Sequence, residues 1–376
     1  WRALAGSRQV DSTVSDKIWL EFGNLLNQFE AFDAHADFYQ LRATMLESAG
    51  DFWWVTRNRR SWPKAWGHYE KALKLWAASP DVEIARERYL AIVWKASHPP
   101  EVNLNYTYGR YDNYLPASIL ENAIKIAVSS VEKSHANFLL AVSLQRQLNQ
   151  SPYMHERVVR AFNAATAGKI KHAWMDDALV QYADWLASQG KPVKEPNGNW
   201  RFRPDYPSAV KIWRRLVDWY DREETRHYRQ AEARLKDVTE HQLNVMVSHA
   251  FIPGSVIRLH TQWRNIDRFQ LKLFKVDLVK NLHLDEGGHS PSEWIKTLKV
   301  RELDPVYDKT VETGDKRDHE RGAQEIVLDR APKDGAYLAV GYVDGTEQSR
   351  ELVLISRLSV VARASTNRTL VWVCDS

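Results

Sequence analysis

The stretch WRNIDRFQLKLFKVDL (263–278) decides how this chain is read. Phe269, Leu271 and Leu273 alternate with polar or charged residues, the period-two pattern of a half-buried strand. Phe274, Val276 and Leu278 then take up the opposite parity. Two readings account for the switch: a bulge at Leu273–Phe274, or a strand buried on both faces. The bulge is favoured, because Lys272 and Lys275 would otherwise point inward. The stretch also marks a change of period, since the residues before about 240 favour helical spacing.

Upstream, PKAWGHYEKALKLWAAS (63–79) sets Trp66, Tyr69, Leu73 and Trp76 on a helix. SPDVEIARERYLAIVWKAS (79–97) opens with Ser79 as N-cap and Pro80 at the first helical position. Further helices are predicted over 117–131, 135–149, 151–168, 174–190, 205–221 and 223–238, with Gly190 closing its helix. None could bury its apolar stripe alone, so stacked hairpins are the natural arrangement. KPVKEPNGNWRFRPDY (191–206) reads as a Pro/Asn/Gly loop, and the Tyr- and Asn-rich segment 98–116 as a second loop. The 16 Trp and 15 Tyr are mostly packing between hairpins, with a remainder available to a partner surface.

Downstream, alternation recurs in 241–249, 255–263, 324–330, 335–345, 350–363 and 368–376, and Pro253-Gly254 makes a turn. Short strands at such spacing predict an antiparallel β-sandwich. The fold class is therefore α+β and multidomain. Its expected parts are a helical array over 1–239, a sandwich over 240–357, and the first strands of a following domain over 358–376. A length of 376 residues fits that number of parts.

Lys and Arg number 52 against 48 Asp and Glu, interspersed along the chain, which argues against a nucleic-acid partner. The single cysteine, Cys374, excludes an intrachain disulfide and a thiolate zinc site. No apolar run is long enough to span a membrane. Beginning at Trp1 and stopping inside an expected strand, the sequence reads as a piece of a longer protein.

The densest chemical cluster is HLDEGGH (283–289), with His283, Asp285, Glu286 and His289. Two His and two carboxylates suit a metal, and a metal-dependent enzyme working through His283 and His289 is one hypothesis. The plainer reading is preferred: Gly287-Gly288 make a turn, and SPSE (290–293) caps a short helix over 291–300. His155-Glu156 lacks a second His four residues on, so the zinc-protease pattern is missing. Asp176-Asp177 favour a helix start. NYT (105–107) and NRT (367–369) fit a short glycosylation pattern that chance often produces. No phosphate-binding loop or nucleophile elbow occurs. No catalytic, cofactor or metal residue is assigned, and no enzymatic activity is expected.

Two resemblances add to this. AWGHYEKALKLWAASP (65–80), with Tyr69, Ala72 and Pro80, resembles the second helix of a tetratricopeptide unit, as does DYPSAVKIWRRLVDWYD (205–221). Pro80 falls later than in that repeat, and no regular 34-residue period runs through the region. In the second half, Pro253-Gly254, Arg264-Asn265 and Phe274-Lys275-Val276-Asp277-Leu278 resemble the first macroglobulin domain of bacterial alpha-2-macroglobulin proteins. Residues 334–376 resemble the close of one such domain and the opening of the next. The resemblance implies an N-terminal scaffold or recognition segment of an endopeptidase-inhibiting trap in the bacterial periplasm or cell envelope. Its implied partners are target proteases, met through the full-length protein, and an envelope protein on the helices. Bait and any Cys-Gly-Glu-Gln thioester are implied to lie outside the segment, since Glu347-Gln348 has no cysteine before it. The alternative is a helical-repeat scaffold unrelated to protease inhibition.

Overall fold

The computed structural model describes residues 39–55, 62–97, 115–147, 151–247, 250–278, 298–300 and 303–375, except 170, 173, 331 and 367, with a few isolated helical positions besides. Helices come first: α1 (Tyr39–Val55), α2 (Trp62–Ala77), α3 (Val82–Ser97), α4 (Ala117–Ile126), α5 (Ser130–Arg146), α6 (Pro152–Thr166) and α7 (Met175–Gln189). A small hairpin, β1 (Lys191–Lys194) and β2 (Trp200–Arg203), precedes α8 (Tyr206–Trp219) and α9 (Tyr228–Thr239). Strands follow: β3 (Gln242–Met246), β4 (Arg258–Arg264), β5 (Arg268–Val276), β6 (Pro305–Glu312), β7 (Gly322–Val327), β8 (Gly335–Val343), β9 (Thr346–Ile355), β10 (Leu358–Ala364) and β11 (Thr369–Asp375). The chain is a mixed α+β protein, a helical array followed by antiparallel sheets.

Several local expectations change. The helix read as opening at Ser79-Pro80 begins at Val82, with Asp81 Oδ1 accepting from Ile84 N–H at 3.2 Å. The helix read over 117–131 stops at Ile126, and α5 starts at Ser130 behind a capping box: Ser129 Oγ accepts from Glu132 N–H, and Glu132 accepts from Ser129 N–H. The stretch read as a loop over 191–206 contains the β1–β2 hairpin, with Gly198 at φ 87° in its turn and Glu195 N–H donating to Asn199 O at 2.8 Å. The single strand read over 350–363 breaks at Ser356, whose Oγ accepts from Leu358 N–H at 2.9 Å.

The chain divides into two compact units: Trp1–Gln181 with Pro192–Arg201, and Tyr182–Lys191 with Phe202–Ser376. Helices α8 and α9 thus belong to the same unit as the sheets.

In the first unit, charges are buried between helices. Glu47 and Asp51 of α1 are almost wholly covered. Lys95 Nζ of α3 reaches both, at 2.8 Å from Glu47 Oε1 and 2.9 Å from Asp51 Oδ1. Arg88 Nη2 lies 3.1 Å from Glu47 Oε2. Tyr69 of α2 donates its hydroxyl to Asp51 Oδ1 at 2.8 Å. Burial, with Asp51 beside it, pushes the Tyr69 phenol far above its ordinary pKa. Farther along, the buried His135 ring of α5 lies between Trp94 and Trp174, with centroids at 4.2 and 4.1 Å.

In the second unit, two antiparallel sheets share one apolar core. Their strand orders are β3-β4-β7 and β6-β5-β8-β9. Leu243, Val245, Leu259 and Ile326 from the first meet Leu271, Leu273, Ala339 and Val353 from the second. Gly322 has no side chain because Trp263 occupies the space: a Cβ there would stand 2.4 Å from the indole. The helical part is tied by Asp184 in the second half of α7, which accepts from Trp213 Nε1 at 3.1 Å and Gln230 Nε2 at 2.9 Å.

The irregularity expected at Leu273–Phe274 is present, but its extra residue is on the partner strand, and burial on both faces sets the parity. Strand β5 pairs with β8 without interruption from Gln270 to Val276. The irregularity lies on its other side, where Leu273 pairs with Tyr307 but Phe274 with Pro305, so the extra residue is Val306 of β6. Leu273 faces the inter-sheet core, and Phe274 and Val276 join a second cluster with Leu298, Val300, Leu338 and Val340. The parity changes because the far half of β5 is covered on both faces. Lys272 is only half-buried and Lys275 is exposed.

Candidate functional site

A cleft of about 290 Å³ lies in the second unit, lined by Thr239, His241, Asn265, Asp267, Arg317 and His319. Three segments build it: the end of α9 running into β3, the tight β4–β5 turn, and the 313–321 loop before β7. Four non-glycine residues among those described have a left-handed backbone, and three of them are here: Asn265 (φ 57°), Arg317 (φ 57°) and His319 (φ 61°). Such angles cluster where surrounding contacts over-determine the chain.

The turn residues answer a need of the helix. The last carbonyls of α9 have no partner within the helix. Asn265 Nδ2 donates to Val238 O at 2.8 Å and Glu240 O at 3.0 Å. Buried Arg264 donates from Nη1 to Asp237 O at 3.1 Å, and its guanidinium lies over the Tyr206 ring at 5.0 Å. Gln242 Nε2 donates to Asp237 O at 2.7 Å. A cation at a helix C-terminus also suits the macrodipole. The Arg264-Asn265 pair thus fastens α9 to the strand layer.

Those contacts fix a tautomer. Both Nδ2 hydrogens of Asn265 are committed to carbonyls, so its Oδ1 must accept. His319 Nδ1, 2.6 Å from that oxygen, therefore carries the proton. Burial, then the charges of Arg214 and Arg264, hold the His319 pKa below the ordinary histidine value, against the opposing pull of Asp315 and Asp318. The ring is neutral at neutral pH, with Nε2 as a lone-pair acceptor. On the exposed lip, Arg317 Nη2 donates to Asp267 Oδ2 at 2.8 Å, and that pairing lowers the Asp267 pKa. The site can hold a loop, accept a hydrogen bond at one imidazole nitrogen and respond to protons.

Of the residues weighed in sequence, His283, Asp285, Glu286 and His289 lie outside the described residues, as do Asn105, Asn367 and all but the last two residues of the 98–116 segment. Of the helix read over 291–300, only residues 295 and 296 are described as helical. His155 is buried within α6, and Asp176 and Asp177 occupy the first turn of α7. Glu347 is on β9, paired with Arg350, and Cys374 is exposed on β11. Among the described residues, no group of three or more His, Cys, Asp or Glu is placed to hold a metal, and no helix is long and apolar enough to cross a membrane. Sequence reasoning missed His241, Asp267, Arg317 and His319. The one signal pointing to them is the charge density of GDKRDHERG (314–322) between two strands.

No family model matches this chain. No curated protein matches it in sequence. A solved structure, Pseudomonas fluorescens alkylpurine DNA glycosylase AlkC bound to DNA containing an abasic site analog, aligns over 89% of this chain and 96% of its own, at 8% identity and a TM-score of 0.18. A likeness that low carries no argument about fold or activity.

Proposed function

We propose that this chain is a scaffold and recognition segment of a macroglobulin-like, protease-trapping protein of the bacterial periplasm or cell envelope, with tetratricopeptide-like helices in front and bait and any thioester outside these residues. The observation that carries the reading is the role of the Arg264-Asn265 pair. The residues that prompted the resemblance are structural: Asn265 is the left-handed residue of the β4–β5 turn, Gly254 is the left-handed residue of a second turn, and Phe274 and Val276 cover the outer face of β5. The β10–β11 ribbon supports it too. Val360 and Val373 on one face and Val361 and Trp372 on the other are all exposed, as expected of an opening hairpin awaiting a second layer.

The test is made in the source cell. An affinity tag on this segment should recover a larger polypeptide that an added protease cuts and that then retains the protease. Recovery of an uncut, non-trapping chain, with a stable partner held by residues 1–239, overturns the proposal in favour of a helical-repeat scaffold.

A further inference from the structure

Among the described residues, the β10–β11 ribbon is a two-stranded sheet. Two strands alone are marginal in water, and this pair exposes apolar side chains on both faces. Its two edges differ. Strand β10 carries Arg363, with Arg357 just before it, and charges of that kind blunt an edge. Strand β11, TLVWVCD (369–375), has no proline, no glycine and no charge before Asp375, and no bulge interrupts its pairing.

The hydrogen-bond pattern shows what the outer edge of β11 offers. Ser365 N–H donates to Arg368 O at 2.7 Å where the hairpin turns. Bonded and non-bonded pairs alternate along an antiparallel ladder. In the observed register Leu370 opposite Arg363, Trp372 opposite Val361 and Cys374 opposite Ser359 therefore turn their backbone groups toward β10. Thr369, Val371, Val373 and Asp375 turn theirs outward. A second β11, laid antiparallel about a two-fold axis at Trp372, satisfies all of them. Thr369 then bonds to Asp375 of the second copy, and Val371 to Val373 of the second copy. The side chains agree with that register: Leu370 falls opposite Cys374, Trp372 opposite itself, and each Asp375 arrives beside Arg368. The same operation on β10 would gather four arginines, Arg357 and Arg363 from each copy.

We propose that the outer edge of β11 is a homodimer interface, at which two copies of this chain pair their β11 strands about Trp372 into one four-stranded sheet. A two-fold axis makes the contact self-complementary and closed, so association stops at two. The pairing uses only the edge and does not rest on the protease-trap reading.

Light scattering on the 376-residue chain tests this. The mass should rise from 43.6 kDa toward twice that value, with half-association on the order of 10 µM, as suits a small interface. Val371→Pro removes an outward N–H and leaves the bonds to β10 in place. It should weaken association about tenfold or more, since each dimer loses two hydrogen bonds, with the far-UV circular dichroism unchanged. Leu370→Cys should cross-link to Cys374 of the second copy under mild oxidation, because opposed strand residues stand within disulfide reach. The unaltered chain and Val360→Cys, on the far strand, should not cross-link. A monomer at about 100 µM overturns the proposal, whether the ribbon stays bare or is taken up by a different protein. Association that survives Val371→Pro, or cross-linking from Val360→Cys as fast as from Leu370→Cys, overturns it in favour of face-to-face stacking. If Val371→Pro does not fold, the contrast between the two cysteine variants decides.

Discussion

The two units keep their interiors in register by different means. Between α1, α2 and α3 of the first, Glu47, Asp51, Lys95 and Tyr69 form a buried charged network. Between the sheets of the second, the shared core is apolar, and the charged Arg264 is kept to the rim at the end of α9. Strands are held in register by the hydrogen-bond ladder, and a one-residue slip would turn every core residue to the wrong face. Adjacent helices share no such ladder, and small or aromatic residues such as Ala72 and Trp76 fit several rotations. Buried polar groups that must all be satisfied select one of them.

The largest effect should come from breaking the helical network. Lys95→Met takes the ammonium from buried Asp51 and leaves Glu47 with Arg88 alone, and should cost about 3–5 kcal/mol in urea unfolding. Replacing the set together, with Glu47→Gln, Asp51→Asn and Lys95→Met, should restore much of the stability but broaden the NMR spectrum of the first unit. A sharp, native-like spectrum for that triple variant would remove the registry role. Next is the apolar core: Leu271→Ala, at a wholly buried position, should cost about 3 kcal/mol as a cavity, with the fold retained because the ladder still sets register. Asn265→Ala deprives Val238 O, Glu240 O and His319 of partners and should cost about 2 kcal/mol. It should also speed amide exchange at the end of α9, whereas an effect confined to the loop would show that the turn does not fasten the helix. Smallest is Ser129→Ala, which removes the α5 cap for about 1 kcal/mol, read as early fraying of that helix.

The array of helices, the change of period near residue 240 and most strand positions were legible in the sequence, because each is written in local periodicity. The α4–α5 break was also there, in Ser129 and Glu132, but the apolar run across it hid the cap. The parity switch in β5 was visible and its cause was not. Residues 298–300 lie more than twenty positions away, and nothing local says that they cover Phe274. The cleft was the least legible part. Asn265 and His319 are 54 residues apart, and a histidine in a charged loop looks like any solvated one.

By itself the sequence determined the alternation of its elements, the turn at Pro253-Gly254 and the helix starts behind Ser129 and Ser151, since each rests on backbone and side-chain preferences acting over a few residues. Only the tertiary structure decided that β5 is covered on both faces, that Arg264 and Asn265 complete the end of α9, and that His319 is held as one neutral tautomer. Those outcomes depend on burial and on charges from distant segments, which exist only once the chain has folded.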